Sequence, residues 1–214
     1  MAVISLVFSQ MFQRAIENYP IYYLCGNIIW TLFTGATNSA MTALVDNKTM
    51  LIKVKLPMQI FIFARVYTAF VNFLYSLIAF VLMLCIFRIT PHWTLFFFPV
   101  IILCALIFCL GMSYILSTAY VFFGDVKYLY SVFLTLLMYM SALFYPVSSL
   151  PAVLQKVIGF NPVFVYIDAL RDIVMYGTLP SATGIVKMFV FAIVFYLIGL
   201  WVFNANKNKV MQKL

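Results

Sequence analysis

Three charged residues stand within five positions of an otherwise apolar stretch: Asp168, Arg171 and Asp172, inside "GFNPVFVYIDALRDIVMYG". Carboxylates at membrane depth can exchange protons with a substrate, as in an intramembrane glycosyl or acyl transferase. An Asp and an Arg three residues apart can instead pair on one helix face. No second carboxylate motif lies at a matching depth, which disfavours catalysis. We expect Asp168 and Arg171 to mark the watery side of a short helix, with Arg171 as an ion-pair anchor of an outer gate or a subunit contact.

The segment around these charges carries start and stop signals for two short helices. Pro151 is suited to the first turn of one helix. Asn161 as an N-cap, Pro162 as the first helical residue and Gly177 as the stop define a second helix of about 15 residues, roughly 22 Å long. Neither helix spans a bilayer alone, so residues 148–180 are predicted to enter the membrane from the outer side and turn back.

A polar stripe follows one face of a predicted helix over residues 20–45. Its polar residues recur at steps of four, three, four and four positions, which confines them to about an 80° arc of the helix surface; they are Asn27, Thr31, Thr34, Asn38 and Thr42. Such a stripe either hydrogen-bonds a neighbouring helix or lines a polar passage. Aromatic rings beside polar groups suit the faces of sugars, although they also occur in ordinary membrane packing. The candidate passage residues are Tyr23, Asn27, Trp30, Thr31, Thr34 and Asn38.

The loop "VDNKTMLIKVKLPMQ" over residues 45–59 is amphipathic and basic, with three lysines. Such a segment either contacts lipid head groups or docks a soluble partner. The chain contains no GxxxxGK[ST] and no HExxH motif, and His92 is its single histidine. Any ATP that powers its work must therefore be bound by another chain. We expect this chain to bind no cofactor or metal itself.

The composition makes lipid the solvent for most of the chain. Hydrophobic residues make up 66% of the sequence and charged residues 8%, whereas a soluble domain has about 25% charged residues. Long apolar runs predict an all-α integral membrane protein with tilted helices rather than strands. We expect the four cysteines, which all lie inside apolar runs, to be buried free thiols. The predicted spans are residues 1–13 (partial), 20–45, 58–87, 94–123, 128–146 and 182–203.

The basic residues lie mostly in loops and tails, so the net charge of +8 reports membrane orientation rather than nucleic-acid binding. With the 46–57 loop, the 124–127 loop and the C-terminal tail on one side, that side holds seven lysines and the other holds five basic residues. The lysine-rich side is predicted to face the cytoplasm. The segment 148–180 then lies on the outer face.

The order of these features resembles the permease subunits of type 2 ABC exporters, most closely the group that exports O-antigen, capsule or teichoic acid chains. The resemblance covers nearly the whole chain. Its motifs are "NYPIYYLCGNIIW", "NKTMLIKVKLP", "FFGD", "YPVSSLP" and "FNPVFVYIDALRDIVMYG".

The resemblance implies a six-helix permease fold, two short re-entrant outer helices before the last span, and a homodimer. It also implies two separate ATP-binding subunits, which carry ATP and Mg and dock on the loop between the second and third helices. Asn161, Pro162 and Arg171 match the re-entrant signature, and Asp168 lies beside them in the predicted outer gate. The implied coupling residues are Asn47, Leu51, Lys53, Lys55 and Pro57, with Asp125 in the second cytoplasmic loop.

The family pattern places an amphipathic helix and a complete first span before the position of Met1. We expect both to be missing here, through a mis-assigned start, a fragment or a shortened paralogue. The implied function is movement of a lipid-linked polysaccharide or teichoic acid precursor across the bacterial cytoplasmic membrane. The alternatives are an exporter of a drug or lipid, and a truncated assembly partner that does not transport.

Overall fold

The computed structural model describes residues 18–53, 56–87 and 92–213, and every regular element in these ranges is helical. The all-α prediction is therefore confirmed. Short 3₁₀ turns cover Trp93–Phe97 and Val147–Ser149, and a π-helical turn covers Asp172–Tyr176. The α-helices are α1 (Tyr19–Met41), α2 (Ala43–Asp46), α3 (Lys48–Lys53), α4 (Gln59–Ile86), α5 (Phe98–Phe122), α6 (Val126–Met140), α7 (Ala152–Ile158), α8 (Pro162–Arg171) and α9 (Ala182–Lys213).

Three helices of the described chain are long and apolar enough to cross a membrane: Gln59–Ile86, Trp93–Phe122 and Ala182–Lys213. The first two match the predicted spans 58–87 and 94–123. The third starts where the sequence predicts but continues to Lys213. The predicted partial span 1–13 lies outside the described residues.

Two predicted spans end earlier than expected. The prediction for 20–45 is corrected at its end, because α1 stops at Met41. The prediction for 128–146 is corrected to α6, whose 15 residues reach about 22 Å, less than the roughly 30 Å hydrocarbon core. Ala142 follows in the left-handed region with φ of 47°, which stops the helical hydrogen-bond pattern.

The core forms where α1, α5 and α9 meet. The Phe108 ring of α5 packs against Phe33 of α1 at 5.6 Å and against Phe195 of α9 at 5.1 Å between ring centroids. Helices α5 and α9 touch backbone to backbone at Gly111 and Gly199, because a Cβ on either glycine would overlap main-chain atoms of the other helix. Helices α5 and α9 pack against each other more extensively than any other pair, and α4 packs mainly against α1.

One end of the helix bundle gathers the basic segments. Gln59 Nε2, at the start of α4, donates to Asn204 Oδ1 of α9 at 3.3 Å. Lys213 Nζ, at the end of α9, donates to the Phe122 carbonyl at 2.8 Å. These contacts bring the two basic loops and the tail together, in agreement with their predicted grouping. We call this the lysine-rich end.

The opposite end contains the turn before α5 and the segment around α7 and α8. Thr94 Oγ1 donates to the Ile173 carbonyl at 3.0 Å. Gly177 adopts φ of 63°, and a Cβ there would lie 2.7 Å from the His92 ring. Residues 92–97 and 148–180 therefore share one end, which we call the re-entrant end.

The cysteine prediction is correct for three of four residues. Cys25, Cys104 and Cys109 are buried free thiols. Cys85 is free but exposed, on a face of α4 that points away from the core.

Candidate functional site

The re-entrant segment has the caps that its sequence predicts. Asn161 Oδ1 accepts a hydrogen bond from the Val163 amide at 3.0 Å, and Pro162 is the first residue of α8. Gly177 ends the segment in the left-handed conformation. The N-cap, the first helical residue and the stop are therefore confirmed. The first short helix begins at Ala152, one residue after Pro151, and the π-helical turn that extends α8 has no signal in the sequence.

Arg171 does not pair with Asp168, so the predicted ion-pair anchor is wrong. The Arg171 side chain is 2% exposed, whereas Asp168 is exposed and lines a cavity of about 120 Å³ with Lys187. The one ion pair within the described residues joins Arg65 to Asp46. Asp168 is thus exposed on α8, whereas Arg171 points into the protein.

The guanidinium of Arg171 binds main-chain carbonyls. Nη2 donates to Ala142 O at 3.0 Å and to Leu143 O at 3.4 Å, and Nε donates to Tyr22 O at 3.4 Å. Its Cζ lies 3.5 Å from the centroid of the Tyr22 ring. The five N–H donors of an arginine suit several acceptors at once, and the early end of α6 supplies carbonyls without helical partners. This is the physical reason that carbonyls replace the carboxylate.

Other side chains bind the neighbouring carbonyls in the same way. Asn161 Nδ2 donates to Met140 O at 3.1 Å. Tyr19 Oη donates to Phe144 O at 2.9 Å. Tyr22 Oη donates to the following carbonyl, that of residue 145, at 2.9 Å. We call residues 140–145, with the four side chains that bind their carbonyls, the carbonyl knot; those side chains are Tyr19, Tyr22, Asn161 and Arg171.

The carbonyl knot joins three elements: α1, the end of α6, and α8. Gly26 of α1 permits the close approach, because a Cβ there would lie 2.9 Å from Leu143 and 3.0 Å from Arg171 Nη2. Buried carbonyls are costly to leave unpaired. A displacement of α6 relative to α8 must therefore break the hydrogen bonds from Asn161 and Arg171 together.

The predicted coupling residues lie at the lysine-rich end. Leu51 is 2% exposed and fixes α3 against the core. Asn47 Nδ2 donates to the Ala43 carbonyl at 2.7 Å and so closes α2. Lys53 and Pro57 are exposed, with Lys55 outside the described residues. The two short helices α2 and α3 therefore form a partly exposed segment with Leu51 as its buried anchor. We call α2 and α3 the coupling segment.

Asp125 is exposed at the start of α6, at the same end of the molecule. The hydrogen bond from Lys213 to Phe122 lies a few residues before it. Asp125 and the coupling segment share this end, and no hydrogen bond or ion pair joins them within the described chain.

One residue of this end is absent from the sequence-based predictions. Arg65 of α4 pairs with Asp46 of α2 at 3.3 Å, and Thr42 Oγ1 donates to the same Asp46 carboxylate at 2.8 Å. The sequence signal that could have identified it is a single arginine within the apolar run 58–87, since a charge at membrane depth needs a partner. The pair links the coupling segment to a membrane-spanning helix.

Only part of the polar stripe of α1 lines a cavity. Thr31 and Thr34 donate their hydroxyls to carbonyls of α1 itself, both at 2.9 Å, rather than to a neighbouring helix. Tyr23, Asn27 and Thr31 line a cavity of about 510 Å³ between α1 and α4. Trp30, Thr34 and Asn38 do not line it. A hydrogen bond between helices does form one position away from the stripe, where Tyr130 Oη of α6 donates to Thr37 Oγ1 at 2.7 Å.

Comparison with known proteins agrees with this architecture. The ABC-2 type transporter family matches residues 1–175 of the chain. An O-antigen export system permease protein RfbA from Myxococcus xanthus is 24% identical over 216 residues, which cover 100% of this chain and 83% of that protein. A protein of the same name from Klebsiella pneumoniae is 25% identical over 209 residues, which cover 97% of this chain and 80% of that protein. The chain therefore belongs to the ABC-2 type transporter family and is a multi-pass membrane permease.

Proposed function

We propose that this chain is the membrane-spanning subunit of an ATP-driven exporter that moves a lipid-linked polysaccharide across the bacterial cytoplasmic membrane. The observation that carries the proposal is its similarity, along its whole length, to permeases named for O-antigen export. A teichoic acid or capsule precursor belongs to the same chemical class, a sugar chain on a lipid carrier.

Our proposal assigns ATP and Mg to a separate ATP-binding subunit. Membership of the family implies such a partner. The lysine-rich end suits its docking, because α2 and α3 form a compact segment fixed by buried Leu51, with Lys53 exposed. Closure of the partner subunits on ATP would push this segment. The Asp46–Arg65 pair would then pass the displacement to α4.

The proposal includes a homodimer, with one ATP-binding subunit for each copy. Helix α6 supports it: only Tyr130 and Leu134 of its 15 residues are buried. Ser131 and Thr135 are exposed on this helix, and polar groups at membrane depth favour contact with protein over lipid. A second copy would cover them.

The first test is removal of the chain from cells that carry it. We expect the lipid-linked glycan to accumulate on the cytoplasmic side while surface polysaccharide disappears, and the wild-type chain to restore export. Normal surface polysaccharide without the chain would contradict the proposal. A changed drug or lipid efflux in its place would favour an exporter of another substrate.

The second test addresses the partner. A Lys53→Cys variant should crosslink to an ATP-binding subunit, with a yield that depends on nucleotide. Lys156→Cys is the matched control, because Lys156 is exposed at the re-entrant end. Crosslinking of neither variant, with no ATP-binding subunit co-purifying, would contradict the proposed docking.

A further inference from the structure

A groove runs between α1 and α4 over most of their length. It consists of two cavities, one of about 220 Å³ and one of about 510 Å³, and Thr31 and Ser76 line both of them. The smaller cavity extends to Arg65, toward the lysine-rich end. The larger one extends to Pro20 and Met83, toward the re-entrant end.

Helix α4 contributes a second polar stripe that the sequence-based reading did not include. Arg65, Thr68, Asn72 and Ser76 recur at steps of three, four and four residues, which places them on one face of the helix. All four line the smaller cavity. The stripe faces the polar side of α1, so polar groups approach the groove from both walls.

The polarity of the groove changes along its length. Its larger half is mostly apolar, with Leu24, Ile28, Phe80 and Met83 among its lining residues. Its smaller half, which we call the polar half, is lined by six polar or charged side chains; they are Thr31, Ser39, Arg65, Thr68, Asn72 and Ser76.

The polar half has hydrogen-bonding capacity that the fold does not use. Thr68 and Ser76 donate to carbonyls of α4 itself, at 2.9 and 3.2 Å, which leaves the lone pairs of both hydroxyl oxygens available. Thr31 makes the same kind of bond within α1. The Asn72 side chain is exposed, and no hydrogen bond from its amide joins it to the described residues. Polar groups in this state at membrane depth are costly unless water or a polar ligand covers them.

The charge at the mouth of the groove is balanced. Arg65 is paired with Asp46, and both side chains remain partly exposed, at 42% and 46%. A paired arginine attracts a free anion less than an unpaired one. The polar half therefore offers hydroxyl and amide groups in a nearly neutral setting, which suits the hydroxyl groups of sugars.

We propose that the polar half of the α1–α4 groove binds the sugar portion of the lipid-linked glycan during export. The inference rests on the proposed function, and it assigns the contact to residues of α4 as well as α1. The apolar half suits the sugar less well, because sugar hydroxyls would lose their hydrogen bonds to water there. Glycan enters the polar half from the lysine-rich end.

The test measures the reaction of single cysteines in the complex of this chain with its ATP-binding subunit, in membrane vesicles. The background is Cys85→Ala, because the other three native cysteines are buried. Asn72→Cys should react with a charged, water-soluble methanethiosulfonate. The matched control is Ile78→Cys, which replaces a side chain 62% exposed on another face of the same helix and should stay unreactive. Equal reaction of the two cysteines would overturn the polar groove.

Two preparations show whether glycan occupies the groove. Vesicles from cells that make the lipid-linked glycan are compared with vesicles from cells blocked in its synthesis. At a glycan concentration about ten times its Kd, labelling of Asn72→Cys should slow about tenfold. Equal rates in both preparations would overturn the glycan site.

A functional variant separates this inference from the proposed function. Asn72→Leu keeps the size of the side chain but removes its hydrogen bonds, so export should fall about two- to tenfold while assembly and ATP hydrolysis persist. Ile78→Ala should export as the wild type does. If the wild-type chain exports glycan and Asn72→Leu does so equally well, the groove inference alone fails. If the wild-type chain exports no glycan, the proposed function fails with it.

Discussion

Arg171 shows how a buried cation can serve a membrane protein without a carboxylate. Its guanidinium binds the Ala142, Leu143 and Tyr22 carbonyls and stacks on the Tyr22 ring. Stacking and hydrogen bonds together offset part of the cost of burying the charge. The residue therefore holds the broken end of α6, and a role in an outer gate stays a prediction that depends on this contact.

Replacement of Arg171 should cost both stability and export. Arg171→Ala leaves buried carbonyls unpaired, so we expect a loss of about 1–3 kcal/mol and a lower melting temperature in detergent. Arg171→Lys should recover little, because an ammonium lacks the planar fork that spans two carbonyls. Lys156→Ala, at an exposed site, is the control. An unchanged melting temperature in Arg171→Ala would show that the carbonyl knot contributes no stability.

The caps of α8 and the partners of Arg171 differ in what the sequence can reveal. Asn161, Pro162 and Gly177 act on their immediate neighbours, so local signals predict them correctly. The carbonyls that bind Arg171 lie 29 and 28 positions away along the chain, and they are free only because α6 ends at Met140. That ending has no strong local signal. The nearby Asp168 was therefore the wrong partner to predict.

At the scale of elements, one glycine pair decides how closely two of the helices approach. Gly111 and Gly199 bring α5 and α9 into backbone contact, as small residues do between membrane helices. The sequence predicts both helices from their apolar runs but does not identify the pair that packs. Likewise, the sequence predicts the polar stripe on α1. It does not predict the stripe on α4, because apolar residues dominate the run 58–87 around those polar side chains.

Gly199→Ala should destabilise the protein. The added Cβ overlaps the Gly111 carbonyl, so α5 and α9 must separate, at a cost of about 1–3 kcal/mol. Gly35→Ala in α1 is the matched control, because the nearest atom to a Cβ there is 4.0 Å away. That substitution should be neutral or stabilise by up to about 1 kcal/mol through helix propensity. Thermal unfolding in detergent measures both, and a Gly199→Ala protein as stable as Gly35→Ala would contradict the close crossing.

At the scale of the whole molecule, the two ends have different chemistry. The lysine-rich end carries the coupling segment and the end of α9, and the re-entrant end carries the carbonyl knot. The α1–α4 groove extends toward both ends, and its polar half lies nearer the lysine-rich end. Helices α1 and α4 thus extend between the lysine-rich end, where the proposed ATP-binding subunit would dock, and the re-entrant end.

The orientation of the molecule follows from the positive-inside rule and can be tested directly. Short loops rich in lysine stay in the cytoplasm, so the lysine-rich end should face inward. Lys207 and Lys156 are exposed at the two ends and supply a matched pair of sites. In the Cys85→Ala background, a membrane-impermeant thiol reagent should label Lys156→Cys in intact cells and Lys207→Cys only in inside-out vesicles. The reverse pattern would place the coupling segment outside the cell, where no cytoplasmic ATP-binding subunit could reach it. Docking, glycan entry through the polar half and the inward charge bias all require the same orientation, so this one measurement bears on all three.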